Sequence, residues 1–169
     1  MGKAKKIRRL VRRPFETILF KGAALFIPLL PRSLVSLLAW SAGTMAFYIS
    51  KRERRLGMDN LDAVYGDTKT DLEKKRILRK SLICFSQTMA DLFWFSRNTE
   101  QRVRQYHRFV PESGPYFERR AHVVITAHLG NWELIGLESG LLGVDIASVA
   151  AVTKNRSVDR LLNSLRERT

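Results

Sequence analysis

Cysteine is nearly absent: Cys84 is the single one in 169 residues, which excludes a disulfide framework and a thiolate metal site. It reads as a small apolar packing residue in a reducing compartment. Histidine is sparse too, and His107, His122 and His128 show none of the spacings of known metal sites. Neither a metal nor a cofactor is expected. Acidic residues are scarce at one end of the chain: residues 1–55 hold 13 Lys/Arg against 2 Asp/Glu, whereas residues 56–169 hold 17 against 14. The formal charge of +14 is therefore a property of the N-terminus. Internal repeats and low-complexity segments are lacking.

What is present at that end is a basic arm followed by apolar sequence. The first 14 residues carry seven Lys/Arg and no acid, and Phe15 to Leu30 is apolar apart from Glu16, Thr17 and Lys21. Ser33 to Ser50 then runs 18 residues without a charge. As a helix it would span about 27 Å, close to the ~30 Å hydrocarbon core. Pro28 and Pro31 divide the apolar region, and Lys51, Arg52, Arg54 and Arg55 follow it. Basic residues on both flanks give no orientation, and the pattern fits one transmembrane anchor or two segments lying in the interface of an anionic leaflet. A secretory signal is disfavoured, because the apolar stretch is too long and interrupted and no small-residue cleavage site follows. Nucleic acid is not the expected partner, since basic residues beside an apolar span point to phospholipid head groups. A buried core hairpin is the bland alternative. Residues 1–55 are thus expected to be a basic arm and membrane anchor, and residues 56–169 a separate region.

Asn60 to Asp67 reads as a connector with a turn at Gly66-Asp67. Thr70-Asp71-Leu72-Glu73 is a capping box opening a helix to about Ser96, with Leu72, Ile77, Leu78, Leu82, Phe85, Met89, Leu92 and Phe93 at helical spacing. A weaker helix covers roughly Glu100 to Phe109, with His107 in it as a surface or structural residue. Pro111 to Pro115 is a turn-rich break, after which the pattern becomes β-α-β-α. The β-branched run His122 to Ala127 predicts a buried strand, Trp132 to Leu142 a helix closed by Gly143, and Ile146 to Val152 a second strand. Ser157 would cap a last helix with Leu161, Leu162 and Leu165 on one face. The expected class is α/β, with N-terminal helices followed by the start of a parallel sheet. Two strands are not a complete sheet, so the region reads as the front part of a longer domain.

The chemistry concentrates in His128-Leu129-Gly130-Asn131-Trp132-Glu133. Gly130 permits a tight turn and Asn131 is a favourable N-cap for a helix beginning at Trp132. Positions five apart on one regular helix point about 140° away from each other. His128 and Glu133 can therefore meet only if His128 lies before the helix and Glu133 in its first turn. There the carboxylate could hold one imidazole nitrogen and leave the other as a base. No serine or cysteine in the motif offers a nucleophile, so the simplest chemistry is attack of an activated substrate hydroxyl on an acyl donor. The spacing alone fits a hydrogen-bonded structural histidine as well.

Beyond that motif, Arg54-Arg55 with Asn60-Leu61 and Val64-Tyr65, the phrase VVITAHLGNWEL (Val123 to Leu134), and Lys154-Asn155-Arg156 with Asp159, Leu161-Leu162 and Arg166 occur in order along nearly the whole chain. In these features the sequence resembles the bacterial lipid A biosynthesis acyltransferases, within the wider glycerolipid acyltransferase group. The resemblance implies an enzyme on the cytoplasmic side of the inner membrane. It would move a fatty acyl chain from an acyl carrier protein thioester, or from acyl-coenzyme A, to a hydroxyl of a lipid acceptor. It implies His128 as general base and Glu133 as its partner. Arg166 would bind acceptor phosphate or acyl donor, with Arg156, Arg168 and Asn131 as further substrate-binding candidates. Capping and packing also suffice to explain Asn131 and Trp132. A non-catalytic membrane-associated module and a hydrolase using the same dyad are the competing functions.

Overall fold

A computed structural model describes residues 3–108, 110, 123, 130–148 and 151–167, with side chains from residue 12 onward. Seven helices succeed one another among these residues: α1 (Lys3–Phe26), α2 (Arg32–Ile49), α3 (Lys51–Tyr65), α4 (Asp71–Trp94), α5 (Thr99–Tyr106), α6 (Trp132–Leu141) and α7 (Arg156–Arg166), with short 3-10 turns at Ile27–Leu29 and Gly66–Thr68. They belong to two compact units, Leu30–Asp91 and Met1–Leu29 with Leu92–Thr169.

In the Leu30–Asp91 unit, Pro31 starts α2. Its backbone is extended, and its carbonyl accepts from the N–H groups of Leu34 (3.0 Å) and Val35 (3.1 Å). Val35, Ala39, Gly43 and Phe47 recur every four residues and form the buried stripe of this helix. Gly43 is the close-approach point: a Cβ there would lie 2.5 Å from Ile83 Cα and 2.8 Å from the Leu82 carbonyl oxygen, so only hydrogen lets the α2 and α4 backbones come this near. Asp91, buried on α4, pairs with Arg32 and accepts from Gln87 Nε2 at 2.6 Å. The capping box opens α4 as the sequence predicts. Glu73 Oε2 accepts from the Thr70 N–H and hydroxyl, both at 2.8 Å, and the Glu73 N–H donates back to the Thr70 hydroxyl at 3.3 Å. The connector expected over Asn60 to Asp67 is instead mostly helix. α3 runs through Asn60 and stops only at Gly66, whose φ of +48° is the left-handed backbone that glycine tolerates. Cys84 is exposed rather than packed inside.

The other unit is organised around Leu92, Phe93 and Leu165, against which Phe20, Ala23, Ala24, Ile27 and Leu162 pack. Phe20 meets Phe93 edge to face at 6.0 Å between ring centroids. This core joins α1, the end of α4, and α7. Arg102 on α5 ties in the connection after α1: it donates to the carbonyls of Trp94 and, at 3.0 Å, Pro28, and its guanidinium lies 3.9 Å over the Trp94 ring. The helix expected over Glu100 to Phe109 ends earlier, at Tyr106. His107 follows it in extended conformation and contacts the Glu138 carboxylate on α6 through Nδ1.

The α/β expectation is overturned. Among the described residues there is no strand: residues 144–148 and 151–153 are irregular, with Ile146 half-exposed and Val152 largely exposed. The strand expected over His122 to Ala127 lies outside the described residues apart from Val123, which is exposed and in no strand. The physical reason is that a helix satisfies its own backbone groups, while a β-branched run becomes a strand only when a neighbour supplies partners. The β-α-β crossover is withdrawn with its strands. Regarding the membrane, no single described helix is long and apolar enough to cross a bilayer. Arg32–Ile49 and Lys51–Thr68 meet that requirement only as a pair bent by 87°.

Candidate active site

The site is built on the start of α6. Gly130 turns the chain with φ +64°, and Asn131 caps the helix, its Oδ1 accepting from the Leu134 N–H at 3.2 Å. Trp132 is the first helical residue and Glu133 the second, as the sequence predicts. The helix ends as expected beside Gly143, at φ +74°. There the Val144 N–H donates to the Ser139 carbonyl and the Gly143 N–H to the Gly140 carbonyl, the pairing of a Schellman motif.

Glu133 is buried, at 7% exposure, and a carboxylate in that position needs a partner. Arg166, from the last turn of α7, supplies it with a two-pronged grip: Nε donates to Oε2 at 2.9 Å and Nη2 to Oε1 at 2.6 Å. The Trp132 indole N–H adds a bond to Oε1 at 3.2 Å. Both helix ends favour the arrangement, since the α6 N-terminus attracts an anion and the α7 C-terminus a cation. The bonds to Glu133 raise the Arg166 pKa further above its ordinary range, against the opposing effect of partial burial. A carboxylate offers about four lone-pair directions. Arg166 and Trp132 take both on Oε1 and one on Oε2, leaving one on Oε2 for another donor.

The sequence candidates divide accordingly. Glu133 and Arg166, 33 residues apart, are brought together. Asn131 is at the same helix end with its side chain committed to the cap. Arg156 is exposed at the opposite end of α7 from Arg166. His128, His122 and Arg168 lie outside the described residues. The cap of α7 is Asn155, not Ser157: its Oδ1 accepts from the Ser157 N–H at 3.2 Å. Its Nδ2 donates to the Arg13 carbonyl (3.0 Å) and the Thr17 hydroxyl (3.1 Å) on α1. No sequence signal couples Asn155 to a helix more than 130 residues earlier. The His107–Glu138 contact was equally invisible, because it depends on how separate elements meet, and the bond from the Trp132 indole to the adjacent Glu133 depends on side-chain rotamers that residue types do not fix. Among the described residues no three His, Cys, Asp or Glu side chains gather into a metal-binding group.

Residues 3–169 match the family model of bacterial lipid A biosynthesis acyltransferases. No curated protein and no solved structure matches the chain.

Proposed function

The chain belongs to the bacterial lipid A biosynthesis acyltransferase family, and from that premise we propose that it transfers a fatty acyl chain from an acyl carrier protein thioester, or acyl-coenzyme A, to a hydroxyl of a lipid A precursor or related glycolipid. The observation that carries this reading is Glu133. It is buried and held from one side by Arg166 and Trp132, with one lone-pair direction left on Oε2. In our reading that direction receives an N–H of His128, which fixes the imidazole tautomer and leaves its other nitrogen as the base.

The acceptor hydroxyl gives its proton to His128 as its oxygen bonds to the thioester carbonyl carbon. Collapse of the tetrahedral intermediate breaks the C–S bond, and the departing thiolate takes the proton back, leaving an ester and a thiol. Backbone N–H groups at the start of α6 serve the transient oxyanion. Arg166 acts as a positioning residue, with its Nη1 able to meet an anionic group of substrate.

Residues 1–55 serve as basic arm and membrane anchor, and residues 56–169 belong to the acyltransferase domain. We place the protein on the cytoplasmic face of the inner membrane, with its helices in the interface. On α1, Phe15, Ile18 and Leu19 are exposed, and on α2, Leu37, Trp40 and Ile49 are, the apolar side chains that interfacial binding requires. Membranes carrying the chain, incubated with labelled acyl carrier protein thioester and lipid acceptors, should yield acylated lipid. His128→Ala should abolish transfer while leaving the protein on the membrane. Turnover retained in that variant, or free fatty acid as the sole product, would refute the assignment.

A further inference from the structure

Besides the Glu133 site, α1 and the start of α7 border an open cleft of about 520 Å³ whose walls include Arg13 and Thr17 on one side and Lys154, Asn155, Arg156 and Ser157 on the other. The Asn155 hydrogen bonds to the Arg13 carbonyl and the Thr17 hydroxyl hold the two sides together. They bring three cationic side chains from distant parts of the sequence to one opening. Among the described residues, none of these three cations has an ion-pair partner. Glu16, the acid on α1, pairs through Oε1 with Arg12 at 2.5 Å, and that bond leads the causes that hold its carboxyl below the ordinary range; its Oε2 lies 3.5 Å from Asn155 Nδ2, so it offsets part of the positive charge of Arg13. The positive end of the α7 dipole adds to the same field.

We propose that this cleft binds a phosphate monoester carried on a lipid head group, with Arg13, Lys154 and Arg156 as its ligands. A monoester dianion, with its several acceptor oxygens, matches three cations beside one carboxylate already paired with Arg12 better than a singly charged diester does. A lipid source follows from the walls: Pro14 and Ile18 line the same cleft, and Ile18 is exposed beside Phe15 and Leu19 on α1. Arg156 and Arg166 stand at the two ends of α7, about 15 Å apart at ~1.5 Å per residue. One extended acceptor can therefore set its charge at one end of α7 and its hydroxyl at the other. This inference rests on the lipid-acceptor reading above for the source of the phosphate.

Flotation of the full chain with phosphatidylcholine vesicles containing phosphatidic acid, compared with phosphatidylglycerol at matched surface charge, tests the site. Binding to phosphatidic acid should be tighter by about tenfold, a difference in keeping with charge-assisted hydrogen bonds. The preference should vanish in Lys154→Ala/Arg156→Ala and persist in Lys154→Arg/Arg156→Lys, which separates lost ligands from lost folding. Equal binding of the two vesicles, or a preference unchanged in the double alanine variant, would overturn the proposal. Binding of inorganic phosphate without a vesicle preference would overturn the lipid source. Since the readout is binding, failure of the acyl-transfer reading shows separately: His128→Ala keeps the phosphatidic acid preference whatever it does to turnover.

Discussion

Replacing Arg166 by alanine would strip Glu133 of both its charged hydrogen bonds and leave the buried carboxylate with the Trp132 indole N–H at 3.2 Å. Removing one partner of a fully buried ion pair costs about 3–5 kcal/mol. Here the side chain of Arg166 is 39% exposed while that of Glu133 is 6% exposed, so water replaces part of what the guanidinium gave, and we expect about 2 kcal/mol. For a chain of this size that is a fall in Tm of about 4–8 °C, or a shift in urea midpoint of about 1 M. Arg166→Lys should recover part of the loss, since an ammonium supplies the charge but not the planar fork. Glu133→Gln in the Arg166→Ala background should cost less than it does alone, with a coupling of about 1–2 kcal/mol in the double-mutant cycle. Arg166→Ala unfolding at the same urea concentration as the parent, with zero coupling to Glu133, would refute the claim that this pair holds α6 to α7.

Two further outcomes follow from the packing and the cap. Gly43→Ala should destabilise by about 1–3 kcal/mol in chemical denaturation, because the added methyl meets the Ile83 and Leu82 backbone rather than a side chain that can turn aside; a neutral result would mean that α2 and α4 are not in this close approach. The Glu73 carboxyl has its pKa lowered below the ordinary value of 4.5 by the Thr70 N–H first and the Thr70 hydroxyl second. Its folded value lies below its unfolded one, so the stabilisation is complete above the unfolded pKa and is lost as pH falls through the folded pKa. Titrating Glu73 by NMR should show that depressed pKa, and Thr70→Ala should raise it.

The parts of this molecule that were legible in its sequence are those whose cause is local. Asn131 before Trp132, Gly143 after the helix and Thr70 three residues before Glu73 each act within one helical turn, and each does in the fold what the residue types predict. The α/β reading failed at Ile146 to Val152 because an apolar run describes what a strand would bury, while its existence depends on neighbours elsewhere in the chain. α3 was missed for a related reason: Asn60 reads as the start of a connector, yet the helix continues through it until Gly66 ends it. At the candidate site, Glu133 and Arg166 were each picked out, but their meeting was not, since 33 residues and an intervening helix boundary separate them. Arg13 belongs to the basic arm in the sequence, and nothing in its spacing disclosed that Asn155 draws it toward Lys154 and Arg156.

α7 carries its cap and tie to α1 at Asn155 and its grip on Glu133 at Arg166, which makes the length of this helix as constrained as its composition. Inserting or deleting one residue between them would swing Arg166 by about 100° around the helix axis and slide it by about 1.5 Å, turning the guanidinium away from Glu133 while Asn155 stayed in place. Adding a whole turn would restore the direction but displace the grip by about 5.4 Å. The exposed face of α7 can drift by substitution, while its register is fixed at both ends.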